Sequence, residues 1–415
     1  MISEVLNSTL IRLIFELIII YSLGLGLSIL ARKLDKPVFL VYIIGGIVMG
    51  LFLGPRTNFK LFIDLMGGFT VDSREGVLSQ LSQIGLIFLL FLTGLETHAD
   101  ELKRFGRHSV LTSVSGVVVP FVLVFITILM LGYDYRMAIV TGAAIAATSI
   151  GVSKRKFKSI GQENCDTACI VKGASIVDDI IGVVVISVLT IILPTDLMNT
   201  NEWRMGLVKV VITFFAILLI GFIIVKLDKI IKSRNFRATH HHEIIMGTII
   251  FIFSLAFIAN FLGVSAVIGS YFAGLILSMT RLKDTLLKFI EPITEVFIAP
   301  VYFISKGLAL DVIDLDYIIV IGLIIAIMTI LGKTIGAGIG ARLTGLDKGS
   351  SLRVGFAMVP IGEVAYLLAS IAKDAGILSY NQLGSIVIVI LITSVTGPFL
   401  LNLTYKGKNE KIKCD

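Results

Sequence analysis

The stretch "GASIVDDIIGVVV", residues 173–185, sets two aspartates side by side in a run that otherwise belongs in hydrocarbon. A carboxylate at membrane depth costs at least ~2.5 kcal/mol on insertion scales, so ionisable residues there are functional-site candidates by default. Adjacent residues on a helix point ~100° apart, so Asp178 and Asp179 face different surroundings: one can face a water-filled cavity while the other faces a neighbouring helix. The second position suits a neutral or paired carboxyl group.

The rest of the chain supports membrane depth. It has 415 residues, of which 56% are hydrophobic and only 16% charged, with a mean hydropathy of +0.97. A soluble globular protein is about 25% charged. Thirteen apolar runs read as spans: 10–30, 37–54, 81–97, 108–132, 136–153, 166–193, 205–227, 243–262, 266–280, 285–306, 316–340, 352–373 and 382–404. Most have the roughly 17–25 residues that cross ~30 Å of hydrocarbon as helix. No soluble domain is left over, and residues 1–9 lack the basic segment of a cleavable signal peptide. Cys165, Cys169 and Cys414 form neither a disulfide framework nor a metal-ligand spacing,.

The net charge of +7 reports topology, and no nucleic-acid partner is expected. With the N-terminus outside, the inward-facing segments carry 25 of the 36 Lys and Arg, the outward-facing ones carry nine, and Lys172 and Lys333 lie inside spans. This bias supports a multi-pass protein of the cell membrane with a cytoplasmic C-terminus. Thirteen spans also divide into six, one linker (205–227) and six more. The two sets then enter from opposite sides, as inverted repeats do in transporters. The fifth span of each set is interrupted by small or helix-breaking residues. One contains "MAIVTGAAIAATSIGVSK" (137–154), broken at Thr148–Gly151, and the other "LRVGFAMVPIGEVAYLLASIAK" (352–373), broken at Pro360–Gly362. Interruptions at corresponding positions point to a midplane ion site.

The ionisable residues well inside the spans are Glu16, Lys172, Asp178, Asp179, Glu291, Glu295, Lys333 and Glu363. Lys333 is the obvious partner for one aspartate, because Gly332, Gly336 and Gly338 let another helix approach it. Lys172 lies two turns before Asp179 and either lines an inward vestibule or extends its ammonium to the surface. Thr148 and Ser149 offer hydroxyl oxygens at one break. Glu363 follows the other and can offset a half-helix N-terminus. Glu291 and Glu295 share a helical face and are candidates for proton binding or sensing, or a solvated pair at a helix start. His240, His241 and His242 are either a pH-responsive cluster or a solvated helix start. A carboxylate in a cavity can hold a proton, or release it and bind a hard monovalent cation through oxygen. One site that accepts either species, but not both, produces exchange.

The stretches "AATSIG" (146–151), "SIVDDIIGVVV" (175–185), "LGKTIGAG" (331–338) and "PIGEVAYLLA" (360–369) together resemble monovalent cation:proton antiporter family 2, the bacterial Na+/H+ antiporters of the NapA and GerN type. The resemblance covers essentially the whole chain. It implies an all-α polytopic membrane protein of thirteen transmembrane helices, built as two inverted repeats with crossing broken helices. The implied layout has a dimerisation domain in two segments (1–100 and 243–310) and a core transport domain in two (101–195 and 311–404). A connecting helix (196–242) and a cytoplasmic tail (405–415) complete it. It further implies a homodimer working by an elevator-like movement of the core, with a role in pH homeostasis. By motif match Asp179 is the cation- and proton-binding carboxylate, Asp178 the partner of Lys333, and Thr148 and Ser149 the unwound segment. An Asp-Asp pair is associated with exchange of more than one proton per cation. Neither a cofactor nor a resident metal is implied, only transported Na+, with Li+ or K+ as alternatives. Many relatives carry arginine just before the "GE" of the last motif, where this chain has Ile361.

Three other classes fit less well. An intramembrane aspartyl protease must bring its carboxylates together from different helices, whereas these are neighbours on one. A cation channel needs a continuous pore, which paired breaks do not suggest. A sodium-coupled organic-anion symporter shares the crossing architecture but gives no reason for the Asp-Asp/Lys trio.

Overall fold

The computed structural model describes residues 9–34, 36–53, 77–97, 99–192, 200–233, 241–308 and 314–405. All the regular elements among them are helical: α1 (Thr9–Lys33), α2 (Val38–Leu53), α3 (Val77–Glu96), α4 (Ala99–Met130), α5 (Tyr135–Ala144), α6 (Ile150–Ser159), α7 (Asp166–Ile192), α8 (Thr200–Ser233), α9 (His241–Phe261), α10 (Ala266–Ser278), α11 (Lys283–Ile293), a π turn (Thr294–Ile298), α12 (Ala299–Leu308), α13 (Leu315–Leu343), α14 (Lys348–Ala357), α15 (Glu363–Asp374) and α16 (Tyr380–Leu403). Among the described residues, seven helices are long and apolar enough to cross a membrane by length and composition: Leu13–Lys33, Val77–Glu96, Gly106–Met130, Arg204–Lys226, His242–Phe261, Leu315–Leu343 and Tyr380–Leu403. The 27-residue α7 is long enough as well, but carries Asp166, Lys172, Asp178 and Asp179.

Among the described residues the runs expected from sequence lie on helical elements, seven of which reach spanning length and apolarity. The run 136–153 is two helices, α5 and α6, parted at Ile145–Ser149, and its second half extends to Ser159. The run 352–373 is likewise α14 and α15, parted at Met358–Gly362. The run 285–306 is divided as well. Pro292 has no N–H to donate, a π turn follows it, and Tyr21 of α1 donates its hydroxyl to Phe297 O at 2.8 Å.

The helices pack in two groups. In one, α5, α6, α7, α14, α15 and α16 gather round the α4–α13 pair; in the other, α1, α2, α3, α9, α10, α11 and α12 pack together. Helix α8 lies against α7 of the first group and α10 of the second. The α4–α13 contact depends on Gly332, Gly336 and Gly340, four residues apart on one face. A Cβ at these positions would collide with Pro120, with the Ser115 carbonyl and with the Leu111 carbonyl respectively. Small residues at this spacing let two backbones meet. Gly338 is not part of that face, since its Cβ would meet only the Ser351 carbonyl, at 3.4 Å. The Cys169 N–H donates to the Cys165 carbonyl at 3.0 Å near the start of α7. Of the histidine cluster, His240 lies outside the described residues, and His242 is exposed near the start of α9.

Candidate ion site at the crossing of two broken helices

The two breaks meet. The Ser149 N–H donates to Pro360 O at 2.8 Å, the Ser153 hydroxyl donates to Ala357 O at 2.5 Å, and Gly362 packs directly on Ser149. Backbone groups freed at membrane depth must find partners inside the protein. Helix α16 supplies two of them: Thr393 Oγ1 accepts from the Ile361 N–H at 3.3 Å, and Ser394 donates to Ile361 O at 3.2 Å. Ile361 itself is fully buried, so this position is an apolar packing position.

Asp178 and Lys333 face each other beside this crossing, both fully buried, with Nζ 3.0 Å from Oδ2. The ammonium group has three protons. They go to Asp178 Oδ2, to Thr148 Oγ1 at 2.8 Å and to the Ala146 carbonyl of the unwound segment. Asp178 also accepts from Ser113 at 2.5 Å, on Oδ1, and from Thr148 at 2.6 Å, on Oδ2. Thr148 thus donates to the carboxylate and accepts from the ammonium. All donors are used, which is the condition for a buried ion pair to persist at low dielectric.

Asp179 lies one residue on and has a different environment. Its Oδ1 is buried and has no hydrogen-bond partner among the described residues. The side chain borders a cavity of about 420 Å³ shared with Glu96, Thr97, Thr148, Ser149, Lys172 and Glu291. Glu363, the first residue of α15, borders this cavity and a wider one of about 610 Å³. The wider cavity runs between the two helix groups and also meets Glu295, Arg32 and Arg155. Glu291 and Glu295 therefore open on different cavities. A third groove, of about 770 Å³ between α1, α2 and α16, is almost wholly apolar and lies away from the carboxylates.

The residues singled out from sequence fall into two sets. Asp178 and Lys333 form the closed pair, bridged by Thr148, which also borders the cavity. Asp179, Ser149, Lys172, Glu291 and Glu363 border the adjoining cavity, and Glu295 borders the wider one alone. Sequence reasoning missed Ser113, Glu96 and the Thr393–Ser394 pair. Glu96 had a visible signal, an acid in the last turn of the third span. Ser113 had none, being one of several small residues in an apolar helix. Among the described residues no group of three or more His, Cys, Asp or Glu is arranged to hold a resident metal ion.

An all-helical membrane protein with two broken helices crossing beside a satisfied ion pair and an open carboxylate belongs among the ion transporters rather than the enzymes. The profile of the family described as "Sodium/hydrogen exchanger, transmembrane" matches residues 18–403, and the chain belongs to that family. It is 30% identical to the Na(+)/H(+)-K(+) antiporter GerN of Bacillus cereus over 384 residues, covering 92% of this chain and 94% of GerN. It is 29% identical to the high-affinity Na(+)/H(+) antiporter NhaS3 of a Synechocystis strain, over 99% of this chain and 93% of that one. The fold is similar to that of the sodium proton antiporter MjNhaP1 from Methanocaldococcus jannaschii, with a TM-score of 0.67 and 18% identity over 96% of this chain and 98% of that one.

Proposed function

We propose that this protein exchanges a monovalent cation, sodium first among them, for protons by alternating access, with Asp179 holding either species in turn. The observation that carries this reading is the asymmetry of the aspartate pair. Asp178 has its acceptors filled by Lys333, Ser113 and Thr148, whereas Asp179 keeps a buried acceptor with no partner among the described residues, beside a cavity. Carboxylate, hydroxyl and carbonyl oxygens suit a hard cation. Thr148, Ser149 and the ends of the two breaks supply such groups next to Asp179. Glu363, at the first position of α15, compensates the positive end of that half-helix. Glu96, Glu291 and Glu295 attract cations into the cavities, and Lys172 limits the charge accumulated there.

In the wider reading, thirteen spans form two inverted repeats, with the N-terminus outside and the C-terminus in the cytoplasm. The α4–α7 and α13–α16 group moves as the transport core against a part that pairs two copies in the plasma membrane. Potassium is the second cation to test, because the GerN relative carries it in its name.

The test is exchange by the purified chain in proteoliposomes with a preset pH gradient, adding Na+, Li+ or K+. Cation addition should release protons, and Asp179→Asn should abolish the release. Wild-type-like exchange by that variant refutes the role of Asp179. Sodium-driven uptake of an organic acid, or cation flux without proton movement, would replace antiport by symport or by a channel.

A further inference from the structure

The wider cavity stops part-way along the boundary between the two helix groups, at Phe303 of α12 and Leu367 of α15. Beyond that point the facing sides of these helices turn polar. On α15 the row Glu363, Tyr366, Ser370 and Asp374 advances in three- and four-residue steps, so it keeps to one face. It starts at the cavity and ends one helix length away, ~16 Å at 1.5 Å per residue, about half of a ~30 Å hydrocarbon layer. On α12 the counterparts are Tyr302, Ser305 and Lys306.

Four hydroxyls in this seam, those of Tyr302, Ser305, Tyr366 and Ser370, are buried without a hydrogen-bond partner among the described residues. Tyr302 and Ser370 lie within reach of each other, and the rings of Phe303 and Tyr366 meet at 6.0 Å. Native interiors leave few polar side chains unpaired, and each such case calls for a reason. At the far end Lys306 donates to both oxygens of Asp374, at 3.0 and 3.3 Å. Lys373 reaches Asp374 at 3.2 Å and the Tyr380 hydroxyl at 2.9 Å. Lys306 of α12 and Asp374 of α15 thus tie the two helix groups together where the cavity no longer separates them.

We propose that the α12–α15 seam is the second leg of the cation's route, and that the Lys306–Asp374 pair is the latch that closes it while Asp179 is open to the opposite side. This rests on the alternating-access reading above. When the helix groups shift, the latch parts and the four hydroxyls line a wet path from Glu363 to the far surface. Their unpaired state in the closed seam is then the counterpart of their use in the open one. A partly exposed ion pair is weak, which suits a contact that must break in every cycle.

The experiment uses the full chain in proteoliposomes. Ser370→Cys is exposed to a membrane-impermeant charged methanethiosulfonate from each side in turn, with the parent's native cysteines as background. Slow labelling is expected only from the side bearing Asp374. Adding Asp374→Asn, or Lys306→Gln, should speed it roughly two- to fivefold, the range for losing one exposed pair, with exchange retained. Ser305→Cys on the facing helix gives the same readout should Ser370→Cys fail to insert. Labelling of both cysteines only from the opposite side, no labelling, or rates unmoved by Asp374→Asn while the parent still exchanges, would overturn the seam alone. Absence of cation–proton exchange in the parent would instead overturn the functional reading.

Discussion

Replacing Lys333 by alanine tests the closed pair most directly. The substitution removes three hydrogen bonds at once, to Ala146 O, Thr148 Oγ1 and Asp178 Oδ2. It leaves a fully buried carboxylate with only the Ser113 and Thr148 hydroxyls. Breaking a buried pair from one side costs about 3–5 kcal/mol, chiefly because the remaining charge is uncompensated. At ~2.1 cal/mol/K of unfolding entropy per residue, 415 residues give ~0.9 kcal/mol/K, so the apparent melting temperature should fall by about 3–6 °C. Asp178→Asn combined with Lys333→Ala removes the orphaned charge and should recover most of that loss, as coupled neighbours do. Sodium–proton exchange should persist in both variants, with altered coupling, because Asp179 is untouched. Thermal unfolding of the detergent-solubilised chain, single against double variant, reads the effect. If Lys333→Ala melts within about a degree of the parent, or the double variant melts no higher than the single, the pair has been misjudged.

Two further outcomes follow from geometry outside the carboxylates. Gly336→Val should destabilise the core by at least about 1–3 kcal/mol, since its branched side chain would be driven into the Ser115 backbone, while Gly338→Ala should stay within roughly 0.5 kcal/mol, both read by thermal unfolding. Asp347 caps α14, accepting from the N–H groups of Gly349 at 2.7 Å and Ser350 at 3.2 Å. The Ser350 side chain first, then these backbone groups and Arg353, hold the Asp347 carboxyl below its ordinary range. A lowered folded-state pKa stabilises above the unfolded value and is lost as pH falls through the folded one. Asp347→Ala should therefore cost about 1 kcal/mol near neutral pH, and the difference from the parent should vanish in acid, below the usual aspartate pKa of about 4, in unfolding curves recorded across pH.

How much was legible beforehand depended on whether a residue broke a local rule. Asp178 and Asp179 violate the apolar pattern of their span, and Pro360–Gly362 violates helix continuity. Such violations stand out without knowledge of the fold, and so did the two breaks, now seen joined through Ser149 and Pro360. The glycines round Lys333 announced a close helix, but the face they form was misread by one step. Gly340, four residues beyond Gly336, does the packing, because a helical contact repeats every three or four positions and not every two,. Ser113 was invisible for the opposite reason. A serine in an apolar helix commonly bonds its own backbone, as Ser115 does to Leu111 O at 2.7 Å. Nothing local distinguishes it from one that reaches Asp178 across 65 residues. The hydroxyls of α16 that satisfy Ile361 were hidden in the same way.

The closed pair and the open carboxylate depend on one another. Lys333 holds the unwound segment through Ala146 O and Thr148, and α7 through Asp178. That single ammonium therefore fixes the broken helix against the helix that carries Asp179. A side chain that faces a cavity keeps its place only if its neighbours are held by contacts of their own, and here those contacts are taken from the residue immediately before it in sequence. A lone aspartate on α7 would have had to choose between anchoring the break and facing the cavity. Two in succession, ~100° apart, do both: Asp178 is spent on structure, and Asp179 keeps an unfilled acceptor. The adjacency that makes the stretch costly in hydrocarbon is thus what lets one helix be pinned at the crossing and still present a carboxylate oxygen to the adjoining cavity.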